Sequence, residues 1–217
     1  MALTTYVPRP APTRRLSRSR LLALSAAAGI ALGVLVQLEY SLPGNSGTSL
    51  ANLGAPWLAV AFGLGAVARS RRDGALAGIV GLMFGLISFY VYMRVIQDTP
   101  TPPHKWAWFV LGVLGGAGFG AAGTTWRSEA SRPRLWATAL LTGTLTAESV
   151  GGLVRAAEGT LHPVSIVIFV IELLAGLGVP FLLLRDRDDR ALAYGYTIGA
   201  AVALVAVAIV ITTAAHR

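Results

Sequence analysis

A chain of 217 residues that is 54% hydrophobic and only 13% charged lacks the charge of a soluble globular domain, where about 25% of residues are charged. Its mean hydropathy of +0.64 places it in the membrane class. It has no cysteine, which excludes disulfide frameworks, thiol chemistry, Cys-ligated metals and palmitoylation.

The chain opens with MALTTYVPRPAPTRRLSRSR, residues 1–20. This stretch is rich in Pro and Arg and reads as a disordered, basic cytoplasmic leader. TRRLSRSR before an apolar run also has the look of a twin-arginine or secretory signal. The reading adopted is an anchor for the first helix, because six more apolar runs follow. Those runs cover residues 21–38, 50–68, 75–96, 106–125, 135–154, 164–184 and 191–215. Each approaches or exceeds the ~20 residues that a helix needs to cross the hydrocarbon core. The expected fold is therefore an all-α, polytopic membrane bundle with seven transmembrane helices in one domain, residues 21–217.

Arginine sets the expected orientation. With the N-terminus inside, 14 of the 18 Lys and Arg residues fall on the cytoplasmic side. Arg94, Lys105, Arg155 and Arg217 fall on the other. Such a bias over short loops predicts an N-in, C-out topology. The net charge of +8 is then a topology signal with attraction to anionic lipid headgroups, and nucleic-acid binding is not expected. Trp57, Trp106, Trp108, Trp126 and Trp136 fall near predicted span ends, where indole rings favour the interface.

Two loops look alike: RSRRDGALA from Arg69 and RDRDDRALA from Arg185. They suggest an internal duplication, set against chance similarity in a chain rich in Ala and Arg. Glycines recur at four-residue spacing, as in Gly112, Gly116 and Gly120, which suits close helix packing inside one bundle or in a homodimer. Gly151, Gly152 and Gly176 are further packing candidates.

Two glutamates stand inside apolar runs. Glu148 lies in LLTGTLTAESVGGLVRAAEG and Glu172 in VSIVIFVIELLAGLGVPFLLL. A carboxylate near the membrane centre costs about 2.5–3.5 kcal/mol on insertion scales, so each needs a partner, a cavity or a proton. Counted from the expected outer span ends, they lie ~9 and ~13 Å deep. Thr144, Glu148, Gly151/Gly152 and Arg155 share one helix face. Arg94 and Arg155 are the natural counter-charges, and Tyr90 lies one turn inward of Arg94. Three readings follow. The carboxylates bind a cation, proton or amine in an outward-facing acidic pocket of a small transporter or solute-binding protein. Alternatively, they pair with Arg94 and Arg155 in a structural or accessory subunit that binds other membrane proteins. In the third reading they catalyse.

Absences weigh against catalysis. Lys105 is the only lysine and lies in a loop, so no retinal Schiff base fits the seventh helix. His104, His162 and His216 fall at expected outer positions, which excludes a bis-histidine haem within the bundle. No metal site or cofactor is expected. No Asp lies within a span, Ser149 has no histidine at its depth, and neither G-x-S-x-G nor a P-loop occurs.

SLANLGAPWLAVAFGLGAVARSRRDGALAGIVGLMFG resembles a family of small multi-pass bacterial membrane proteins catalogued only as a domain of unknown function. The similar elements are Ala51, Asn52, Gly54, Ala55, Pro56 and Trp57, the A-R-S-x-R loop, and the Glu148 and Glu172 helices. The resemblance implies a bacterial inner-membrane location and carries no activity, substrate or catalytic residue.

Overall fold

Ser17 starts the first helix. Its backbone is extended and its hydroxyl accepts from the Arg20 amide at 3.5 Å, the geometry of an N-cap. The computed structural model describes residues 16–41, 53–103, 105–126, 131–157, 163–184 and 187–215. The expected leader divides here. Residues 1–15 lie outside the described residues, and Arg18 to Arg20 are already helical rather than disordered.

All regular structure among the described residues is helical. The helices are α1 (Arg18–Tyr40), α2 (Gly54–Ala66), α3 (Arg71–Val95), α4 (Lys105–Thr125), α5 (Ser131–Ala157), α6 (Pro163–Leu183) and α7 (Arg187–Ala215). Four of them, α1, α3, α4 and α6, are long and apolar enough to cross a membrane. α5 has the length, with 27 residues, but its apolar surface is broken by Thr138, Thr142, Thr144, Thr146, Glu148 and Ser149. α2 is the exception in length. Its 13 residues rise only ~20 Å, short of the ~30 Å hydrocarbon thickness.

Glycine decides how the first four helices pack. A Cβ at Gly29 would lie 2.0 Å from the Gly81 carbonyl oxygen, and one at Gly33 would lie 2.2 Å from that of Gly85. α1 and α3 therefore run parallel with their backbones nearly touching. Gly116 meets Gly78, and Gly120 meets Gly74 and Gly65, which sets α4 antiparallel to α3 and beside α2. Without side chains at these points, dispersion contacts extend over both backbones, which is how apolar helices adhere in lipid. The α4 glycines expected as packing residues are thus engaged inside the chain. Gly112 faces Met83 and Leu86.

Trp57, Phe89 and Phe119 centre the core of this group. Trp57 is 8% exposed and meets Phe89 edge-on. It is a core residue rather than an interfacial one, because the shortness of α2 draws its first turn into the bundle. Trp106 and Trp136 are exposed.

Ala137, Leu141 and Leu145 join α5 to that core. α6 and α7 then pack on α5. The Phe169 ring lies against Gly152, and Thr142 shares a hydrogen bond of 2.6 Å with Thr197. The buried hydroxyls of Thr138, Thr142 and Ser149 also donate to carbonyls one turn back, at 2.9, 3.0 and 2.6 Å. Such back-bonding satisfies a hydroxyl inside an apolar helix.

Candidate functional site

Glu148 ends at a helix terminus. Its Oε1 accepts from the Gly54 amide at 2.7 Å and its Oε2 accepts from the Ala55 amide at 2.6 Å. These are the first two residues of α2, whose N-cap, Leu53, supplies no side-chain hydrogen bond. The next residue, Pro56, has no N–H. One carboxylate from α5 thus takes the donors that the first turn of α2 leaves open. Its charge also faces the positive end of the α2 dipole. The cap gives both amides an acceptor at the start of a short apolar helix whose own N-cap residue offers none.

Of the two arginines expected to balance the glutamates, Arg94 is placed otherwise. Arg94 donates to Asp98 at 3.0 Å, with its side chain 60% exposed. Arg155 is exposed near the end of α5 and acts on Glu148 through its electric field. The hydrogen bonds to Glu148 come from the α2 backbone.

Glu172 has a different setting. It is 6% exposed, and neither of its carboxylate oxygens has a hydrogen-bond partner among the described residues. It lies within Coulombic reach of Glu148. The structure therefore brings the two glutamates into one electrostatic neighbourhood and gives them unlike surroundings. Gly176, one turn from Glu172, packs against Thr146, whose hydroxyl would lie 2.7 Å from an added Cβ. Thr146 Oγ1 is likewise buried without a partner among the described residues. The notch read at Gly151 and Gly152 is half filled: Phe169 covers Gly152, while nothing stands within 4 Å of a Cβ at Gly151. Thr144 donates back to Leu140 at 2.8 Å.

A cavity of about 420 Å³ opens beside the first turn of α2. Its floor is Leu53, Gly54 and Trp57. Its walls are Leu82, Leu86, Phe89, Tyr90 and Met93 of α3, and Trp108, Leu111 and Gly112 of α4. It exists because α2 starts late, while α3 and α4 continue past it. The titratable side chain on its wall is Tyr90, whose ring lies 5.2 Å from that of Phe89 and 5.8 Å from that of Phe109. Glu148 does not line the cavity but bonds Gly54, which does. His104, His162 and His216 lie outside the described residues.

Sequence reasoning missed the cavity and the cap. The signal for a helix start was present, since Gly-Ala-Pro places a proline in a first turn. The capping carboxylate is 94 residues away, and no local pattern connects the two.

No curated protein and no solved structure matches the chain. The model of a family of unknown function, DUF6518, matches residues 12–217, which takes in the capped helix, the cavity and both glutamates. The chain belongs to that family.

Proposed function

We propose that this membrane protein is a solute-binding, permease-like protein that holds a small apolar or amphipathic molecule between α2, α3 and α4. The supporting observation is the cavity of about 420 Å³, a size typical of small-molecule sites, which span about 300–1,000 Å³ and are mostly apolar with a few polar groups. Tyr90 supplies a polar group here, and the indoles of Trp57 and Trp108 present broad apolar faces. The expected acidic pocket is replaced by an apolar one in this reading, with Glu148 supporting its floor.

The proposed setting is a bacterial inner membrane with seven crossings, the N-terminus inside and the C-terminus outside. Support comes from the arginine bias and from helices that alternate in direction. The cavity then opens on the outer side, and the basic loops meet anionic headgroups on the inner side.

Trp57 supplies the test. In a chain with Trp106, Trp126 and Trp136 changed to Phe, its fluorescence and that of Trp108 on the same cavity lining are followed as brominated lipid or a brominated fatty acid is added. Saturable quenching that disappears when Leu111→Phe and Leu114→Phe, both on the cavity lining, narrow the cavity supports the reading. Quenching that neither saturates nor responds to narrowing reports ordinary lipid contact. That result favours a second reading, a structural or accessory subunit that packs on other membrane proteins. The engagement of Glu148 in a helix cap supports this second reading, because it gives that carboxylate a structural task.

A further inference from the structure

We propose that Glu172 is the principal ligand of a single monovalent cation, H⁺ or Na⁺, held in the seam between α5 and α6 with the Thr146 hydroxyl as a second oxygen. The seam is closed at both ends. Toward the start of α6, the Phe169 ring fills the space beside Gly152. Toward its end, Gly176 abuts Thr146 and Leu145. Glu172 lies between these contacts and is 6% exposed. Both of its oxygens and Thr146 Oγ1 are buried without hydrogen-bond partners among the described residues. Glu172 is nine residues into a helix of 21, ~13 Å along an axis of ~31 Å, and so near the middle of the hydrocarbon layer.

A bare carboxylate is not stable at that depth and must be neutralised. The charged groups around it narrow the means. On α5, Glu148 adds a like charge, and its own oxygens are committed to Gly54 and Ala55. Arg155 is exposed toward the α5 terminus, where its field acts on Glu148. On α7, Arg190 lies over Phe181 and donates to the Leu184 carbonyl, while the Tyr194 hydroxyl donates to the Leu177 carbonyl. These groups serve the other end of α6. No three His, Cys, Asp or Glu side chains converge among the described residues, which leaves the seam short of ligands for a divalent ion. A proton or one Na⁺ needs only the carboxylate and a neighbouring hydroxyl. This site is separate from the apolar cavity, and its test does not depend on solute binding.

Dicyclohexylcarbodiimide, an apolar reagent that enters lipid and adds to protonated carboxyl groups, reads the site directly. The full-length protein in detergent micelles is treated and its peptides are mapped by mass spectrometry. The expected result is an adduct on Glu172 that is lost in Glu172→Gln, with Glu148 unmodified. Glu172→Gln should melt no lower than the unaltered chain, since the amide imitates a neutralised carboxyl group. Slower labelling in Na⁺ than in K⁺ identifies Na⁺ as the occupant, and equal labelling identifies H⁺. Absence of an adduct on Glu172 in both Na⁺ and K⁺ overturns the proposal. So does a fall in the melting temperature of Glu172→Gln matching that of Glu148→Gln, which would mark Glu172 as a structural ion partner.

Discussion

Glu148 Oε1 lies 2.7 Å from the amide nitrogen of Gly54, so a side chain of α5 completes the first turn of α2. The neighbouring bond from Ala55 to Oε2, at 2.6 Å, makes the contact bidentate. A glutamine retains one acceptor and loses the charge that faces the helix dipole. Glu148→Gln should therefore cost about 1–3 kcal/mol, the range for stripping a charged acceptor from buried donors. Thermal melting in detergent measures the loss, and hydrogen exchange at Gly54 and Ala55 locates it. An unchanged melting temperature with unchanged exchange would rule out the cap. Arg155→Gln should leave exchange at Gly54 and Ala55 slow, because those amides bond Glu148 directly.

The glycines of the α1–α3 seam should tolerate no side chain. Gly29→Ala puts a methyl group 2.0 Å from the Gly81 carbonyl, and the two backbones must separate to admit it. A cost of about 1–3 kcal/mol is expected, as for overpacked cores. Gly151→Ala meets nothing within 4 Å and should stabilise α5 by about 0.5–1 kcal/mol through helix propensity. Equal effects of the two substitutions on melting would contradict the packing described.

Two ion pairs tie parallel helices together, and they should differ in strength. Arg18 and Asp73 are 3.7 Å apart, with the Arg18 side chain 67% exposed. Arg134 and Asp189 are hydrogen-bonded and much less exposed. Asp73→Asn should cost about 0–1 kcal/mol. Asp189→Asn should cost about 2–4 kcal/mol, because it leaves a half-buried guanidinium without its counter-charge. A double-mutant cycle with Arg134→Gln should recover part of that loss, and two additive losses would show no coupling.

Orientation is open to a direct measurement. Reporters active only in the cytoplasm or only in the periplasm, fused after Arg217, should show activity for the periplasmic one alone. Strong cytoplasmic activity would reverse the proposed C-out end.

The sequence by itself determined the membrane class and the positions of the helices. All seven apolar runs contain helices whose ends, where described, fall within a few residues of those expected. This information is local, since a run of apolar side chains has no better solvent than hydrocarbon, and its backbone has no better partner than itself. The likeness of RSRRDGALA and RDRDDRALA was legible as well. In the structure Asp73 of one and Asp189 of the other each pair with an arginine 55 residues earlier, Arg18 and Arg134. They join α1 to α3 and α5 to α7.

Only the tertiary structure decided what the acidic groups do. Composition and helical periodicity place Glu148 and Glu172 at comparable depths but cannot say what each one faces. The partner of Glu148 is a pair of backbone amides, which have no signature in the residue letters, and they belong to a helix 94 positions away. That contact fixes where α2 begins against α5, and Gly54, which it engages, also lines the cavity. Arg94 was drawn instead to Asp98, one turn along its own chain, because a neighbour at that spacing requires no loop to close. Hydrogen bonds between distant segments depend on how helices are set against each other. That setting is decided by shape at glycine contacts such as Gly29 with Gly81, where the absence of a side chain becomes visible only when the opposing backbone is in place.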